Sequence, residues 1–266
     1  IIIMATLTAI YVIAGGYMAT AINDFIQGII MLFGIVAVIA AVIHSKGGFM
    51  SALQGLANVS DPAVSNTPGI FASFFGPDPF NLLCVVILTS LGTWGLPQMV
   101  QKFYAIDNEA SIQKGTVIST IFALIVSGGC YFLGGFGRLF SDQIDVKANG
   151  FDSIIPTMLS NLSPALIALV VILVLSASMS TLSSLVIASS STLTIDFLKD
   201  NFIKNMSDKK QVLYIRILVV VFIAISAILA LIQYKSSVTF IAQLMGISWG
   251  ALAGSFLAPF MFSLYS

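Results

Sequence analysis

Residues 165–175 read ALIALVVILVL, a run with no polar side chain, and comparable runs recur along the whole chain. A helix that crosses a bilayer needs about 20 mostly apolar residues. Segments at about 22–44, 79–103, 115–137, 162–195, 211–233 and 237–264 meet that need. A further stretch at about 1–13 reads as the tail of a span ending at Gly15–Gly16. Backbone groups in lipid must be satisfied within the segment, so these runs are expected to be helices. Only 8% of the residues are charged, against about 25% in soluble domains. That is too little charge to cover a water-facing surface. The expectation is an all-α integral membrane protein, multi-pass in the plasma membrane. It is a single transmembrane domain over 1–266, with six full spans plus the end of another.

The first residues, IIIMATLTAI, and the last, FLAPFMFSLYS, read as cuts through a longer membrane protein, and no signal peptide is recognised. The formal net charge is zero, which gives nucleic acid no electrostatic footing. The lipid bilayer is the expected surround. Cys84 and Cys130 lie in apolar runs and read as small buried hydrophobes. His44 is the sole histidine, so the chain offers no zinc-ligand pattern.

Orientation follows from the loops. The 102–114 and 199–216 loops carry Lys102, Lys114, Lys199, Lys204, Lys209, Lys210 and Arg216. The alternate loops carry Lys46, Arg138, Lys147 and Lys235, and the 137–150 loop adds Asp142 and Asp145. Excess Lys and Arg marks the cytoplasmic side. The Gly15–Gly16 turn is then cytoplasmic and the long 45–78 loop faces out.

One apolar run is interrupted by oxygen. SASMSTLSS, 176–184, holds six hydroxyls in nine residues. On a helix, Ala177, Ser180, Thr181 and Ser184 fall at i, i+3, i+4 and i+7 and share one face, with Ser183 at its border. Neutral oxygens can replace the hydration shell of a hard monovalent cation without burying a fixed charge. The plainer reading is that these hydroxyls bond their own backbone or a neighbouring helix, each contributing about 0.6 kcal/mol. Asp24, in AINDFIQG, reads first as a helix cap with Gln27 in capping-box-like spacing. Buried within a span, it would instead be a functional acid.

Two other spans are irregular. LGTWGLPQ places Gly92, Gly95 and Pro97 within six residues. Proline removes a backbone donor and glycine lowers the cost of unwinding. A helix broken in this way presents carbonyls and helix ends to a solute; the plainer reading is a proline kink for packing. In the last span Gly246, Gly250 and Gly254 form a small-residue ladder, read as a face for close helix packing.

Three separated stretches, IYVIAGGYMATAINDFIQ, GTWGLPQMVQKFYAIDNEASIQKG and SASMSTLSSLVIASSSTLTIDFL, together resemble the sodium:solute symporter family, with the sodium/proline branch the nearest. The resemblance implies a LeuT-like inverted-repeat transporter core, of which this chain holds the end of the first repeat and the whole of the second. It implies sodium (Na+) and a small organic solute as ligands, and no enzyme chemistry. The family's main sodium site maps onto Ala177, Ser180 and Thr181, its remaining ligands falling on a helix upstream of this chain. A second sodium maps onto Asp24, Ser180, Ser183 and Ser184, although Asn23 stands where the family motif has threonine. The substrate side maps onto Ser90, Thr93, Trp94, Pro97 and Gln98.

The proline-type pattern GYFGQPH reads GTWGLPQ here, so Pro97 fits while Thr93 and Leu96 depart. The implied function is sodium-coupled symport by alternating access, with an amino acid such as proline as solute. A monocarboxylate, pantothenate or sugar is the alternative cargo. The membrane sensing module of a sensor kinase, or a channel-like domain, would carry the same spans.

Overall fold

The computed structural model describes every residue except 104, 105, 107, 144–149, 161, 237–240, 265 and 266. Asp145 and Lys147 of the 137–150 loop lie outside the described residues. The described residues are helical or irregular and contain no strand, only an isolated bridge between Asp61 and Ser65. Five helical stretches are long and apolar enough to cross a membrane: Ile2–Ser45, Glu109–Gln143, Pro164–Lys199, Asp208–Lys235 and Gln243–Ser263. Pro79–Gly95 is a shorter apolar stretch. The chain divides into two compact units, each described by itself: residues 1–31 with 171–238, and residues 32–170 with 239–266.

Helix α1, Ile2–Ser45, takes in the two N-terminal segments that the sequence separates. Drawn straight, its 44 residues would reach about 66 Å, twice the hydrocarbon core. The helix breaks at Gly16, whose φ of 59° and ψ of −153° are not helical. The side chains of Tyr11 and Asn23 approach each other, although 12 straight helical residues would hold them about 18 Å apart. The chain therefore doubles back at Gly15–Gly16 into two arms. A Cβ on Gly15 would collide with the Ala19 side chain. The Thr20 hydroxyl closes the turn by donating to the Gly16 carbonyl at 2.9 Å.

In the first unit the arms of α1 pack with α7, Pro164–Thr192, and α8, Asp208–Ser236. Ala5, Val12, Val186, Val219 and Ile223 form the shared core. Beyond Thr192 the α7 backbone widens into π-helical turns over Leu193–Lys199.

The second unit is built around a broken helix. Asp78 caps α3, Pro79–Ser90, by accepting from Asn81 N at 3.0 Å, with proline at its first position. A tight 3₁₀ turn over Gly92–Gly95 follows, then α4, Pro97–Phe103. The interruption expected from Gly92, Gly95 and Pro97 is present. It packs on α9, Ile241–Ser263, and a Cβ on Gly95 would lie 2.9 Å from Leu257 N. Among the described residues the Gly246, Gly250 and Gly254 ladder is not the face that meets this break, because none of the three has an atom within 4 Å of its Cβ position. The close approach runs one residue aside, through Ala253 and Leu257.

The remaining helices of this unit are α2, Phe49–Ala57, α5, Glu109–Gly135, and α6, Ile154–Ser160. Asn108 caps α5 by accepting from Ser111 N at 2.9 Å. Gly129 lets α5 lie against Ile35 and Ile39 of the second arm. The 45–78 loop folds over α2, with Ala52, Leu56 and Phe136 as its core. Lys46 donates to the Leu139 carbonyl at 2.9 Å, and Arg138 pairs with Asp61 at 3.0 Å. Cys84 and Cys130 are free but exposed rather than buried, since the faces of α3 and α5 that carry them are not covered by other helices of the chain. Large apolar side chains such as Phe33, Ile118 and Leu124 are also exposed, as expected where the surround is lipid and not water.

Candidate ion-binding site

The helix α7 carries the hydroxyl motif without a break, and its packing grades the motif residue by residue. Ser176, Ser183 and Ser190, seven apart, are buried, the last two completely. Ala177, Ser180 and Ser184 are half-buried and Thr181 is exposed. The expected stripe of 177, 180, 181 and 184 thus lies along the border between the packed and open faces of α7. Ala177, Ser178, Thr181, Leu182 and Leu185 line an open depression of about 430 Å³ beside it.

Two of the hydroxyl protons go to the backbone of α7 itself. Thr181 Oγ1 donates to the Ala177 carbonyl at 2.9 Å, and Ser183 Oγ to the Ser180 carbonyl at 2.9 Å. Both contacts match the plain backbone-bonding reading. They leave acceptor capacity on each oxygen, because a hydroxyl that donates one hydrogen keeps two lone pairs.

Asp24 does not cap a helix. It lies within the second arm of α1, eight residues past the Gly16 break, because the helix starts at the glycine turn and not at the acid. Asp24 is half-buried, and Ser184 Oγ donates to its Oδ2 at 3.5 Å, a long contact between groups 160 residues apart. Gln27, expected as its capping partner, is buried within the same arm. Asp24 and Ser184 therefore come together, with Ser180 and Ser183 on the adjacent turn of α7. Among the described residues no three His, Cys, Asp or Glu side chains cluster. The oxygen set is one acid with neutral hydroxyls and carbonyls, which suits a monovalent cation better than a divalent one needing several carboxylates.

Sequence reasoning passed over one residue here. Tyr11, on the first arm of α1, donates its hydroxyl to the Met179 carbonyl at 3.1 Å. The side chains of Ser183, Thr8 and Asn23 lie around that hydroxyl. Its signal was faint: one phenol in the apolar run TLTAIYVIA.

The substrate-side residues lie at the helix break of the second unit. Thr93 Oγ1 donates to the Ser90 carbonyl at 2.8 Å, Trp94 is half exposed, Gln98 is half-buried and Pro97 opens α4. Leu96, between them, is fully buried.

The chain is a multi-pass helical membrane protein, with an acid meeting a hydroxyl-bearing helix in one unit and a broken helix in the other. The sequence profile of the sodium:solute symporter family matches residues 1–266, and the chain belongs to that family. The sodium/pantothenate symporter of Haemophilus influenzae is 25% identical over 100% of this chain and 53% of its own length. The sodium/proline symporter of Staphylococcus aureus is 28% identical over 100% of this chain and 50% of its own. The high-affinity proline transporter PutP of Bacillus subtilis is 25% identical over 96% and 52%. The chain spans about half the length of these curated relatives. No solved structure matches it.

Proposed function

We propose that the protein is a sodium-coupled symporter that imports a small organic solute by alternating access. Its architecture is read as a LeuT-like inverted-repeat core. Sodium is held in part by the Ala177 carbonyl and the Ser180 and Thr181 hydroxyls, and a second sodium by Asp24, Ser180, Ser183 and Ser184. Ser90, Thr93, Trp94, Pro97 and Gln98 stand on the solute side. The observation that carries this reading is the oxygen-bearing border of α7, open on one side and met by Asp24 on the other. Neutral ligands bind sodium weakly enough to release it, which a transport cycle requires. Sodium and solute affinities are then linked, each tightening the other.

Relatives named for proline and for pantothenate support an amino acid or pantothenate as the first cargoes to test. Sodium-driven uptake by the full-length protein, tested against proline, pantothenate, monocarboxylates and sugars, identifies the solute. In the same assay Ser180→Ala and Thr181→Ala should each raise the sodium concentration for half-maximal uptake about two- to tenfold, the worth of one oxygen contact. Unchanged sodium dependence in both variants would refute the site.

A further inference from the structure

We propose that Tyr11 is a positioning residue for cation binding, acting through the turn of α7 that carries Ser180, Ser183 and Ser184. The proposal rests on the symport reading above. The Tyr11 hydroxyl reaches the Met179 carbonyl at 3.1 Å from a helix arm 168 residues away in sequence. Met179 immediately precedes Ser180. A helix residue turns the chain by about 100°, so a small rotation of α7 would swing Ser184 away from Asp24. Tyr11 opposes that rotation from the first arm of α1, while Asp24 meets Ser184 from the second arm. The two arms are one chain folded at Gly15–Gly16, so α7 is gripped at this turn by a single hairpin.

Hydrogen accounting supports the same assignment. Tyr11 gives its proton to Met179, Ser183 to Ser180, and Thr181 to Ala177, all backbone carbonyls of α7. Each hydroxyl oxygen keeps lone pairs. Thr8 Oγ1 is fully buried beside the phenol, and among the described residues Gln27 Oε1, one helical turn beyond Asn23, has no hydrogen-bond partner. Asn23 Nδ2, an amide donor beside the phenol, also lacks a partner. The lone pairs on the serines, Thr8 and Gln27 are what a hard cation would use. Tyr11 sends its own proton to the backbone of α7 and so keeps it out of the cluster.

The test is radioactive-sodium binding and sodium-driven uptake by the full-length protein. Tyr11→Phe removes one oxygen and should raise the half-saturating sodium concentration about two- to tenfold, with the uptake rate at saturating sodium close to wild type. Val12→Ala, which loosens the neighbouring core, should lower thermal stability and leave sodium affinity alone. Combined with Ser184→Ala, Tyr11→Phe should weaken sodium binding less than the product of the single effects, because both act on one turn. An unchanged sodium affinity in Tyr11→Phe, or strictly multiplicative effects in the pair, would overturn the role. If Tyr11→Phe is not recovered folded, Tyr11→Leu, which also removes the hydroxyl donor, is read the same way. Failure of the wild type to bind sodium would instead remove the symport reading, and this proposal with it.

Discussion

Asp24 is the residue whose meaning changed most between sequence and structure. Its neighbourhood, an acid after a glycine pair and three residues before a glutamine, has the local signature of a helix start. The structure begins the helix at the glycines, so the carboxylate falls inside a span. There an ionised acid costs roughly 2.5–3.5 kcal/mol on insertion scales, an expense that suits a ligand and not a cap. Asp24→Asn keeps the shape and removes the charge. We expect folded yield to hold or rise, the half-saturating sodium concentration to rise, and the sodium dependence of uptake to lose its steepness, falling toward a Hill coefficient of about one if one of two sodium ions is lost. A sodium titration of uptake measures all of this, and an unchanged curve would reduce Asp24 to a structural partner of Ser184. The serines and Thr181 were legible because helical spacing is a local property. Tyr11 was not, because its partner lies 168 residues away.

At the scale of elements, the broken helix over 79–103 could be read directly from its glycines and proline, since those residues act on their own backbone. The packing of the last helix could not. A small-residue ladder says that close approach is allowed on that face, but which face meets a neighbour depends on the neighbour. Gly95 and Gly250 separate the two readings. In Gly95→Ala the new methyl would meet Leu257 N at 2.9 Å, and a backbone atom has little room to yield. That substitution should cost about 1–3 kcal/mol and lower the thermal unfolding midpoint in detergent. Gly250→Ala meets nothing within 4 Å and should be neutral within about 0.5 kcal/mol. A reversal of that order, followed by fluorescence-detected gel filtration after heating, would restore the ladder as the packing face.

For the whole molecule, membrane class and family were legible from long apolar runs and three motifs, because both are properties of the chain in order. The division into two compact units was not, since each unit is assembled from stretches far apart in sequence. Orientation remains a matter of charge count. In a cysteine-free background, with Cys84 and Cys130 among the residues replaced, a single cysteine at Lys209 should react with a membrane-impermeant maleimide only in inside-out vesicles. A cysteine at Val64, in the long loop over α2, should react in intact cells. The opposite labelling pattern would invert the topology.

On the proposal that Thr181 is a sodium ligand, its bond to the Ala177 carbonyl has a kinetic consequence. A ligand whose hydrogen is already housed on its own helix leaves no orphaned group behind when its cation departs. Escape is then opposed only by the ion's own contacts, with no added penalty from a stranded hydroxyl, and entry demands no prior rearrangement. Such a ligand favours fast exchange over tight retention, which lets a transporter load on one side of the membrane and empty on the other many times a second.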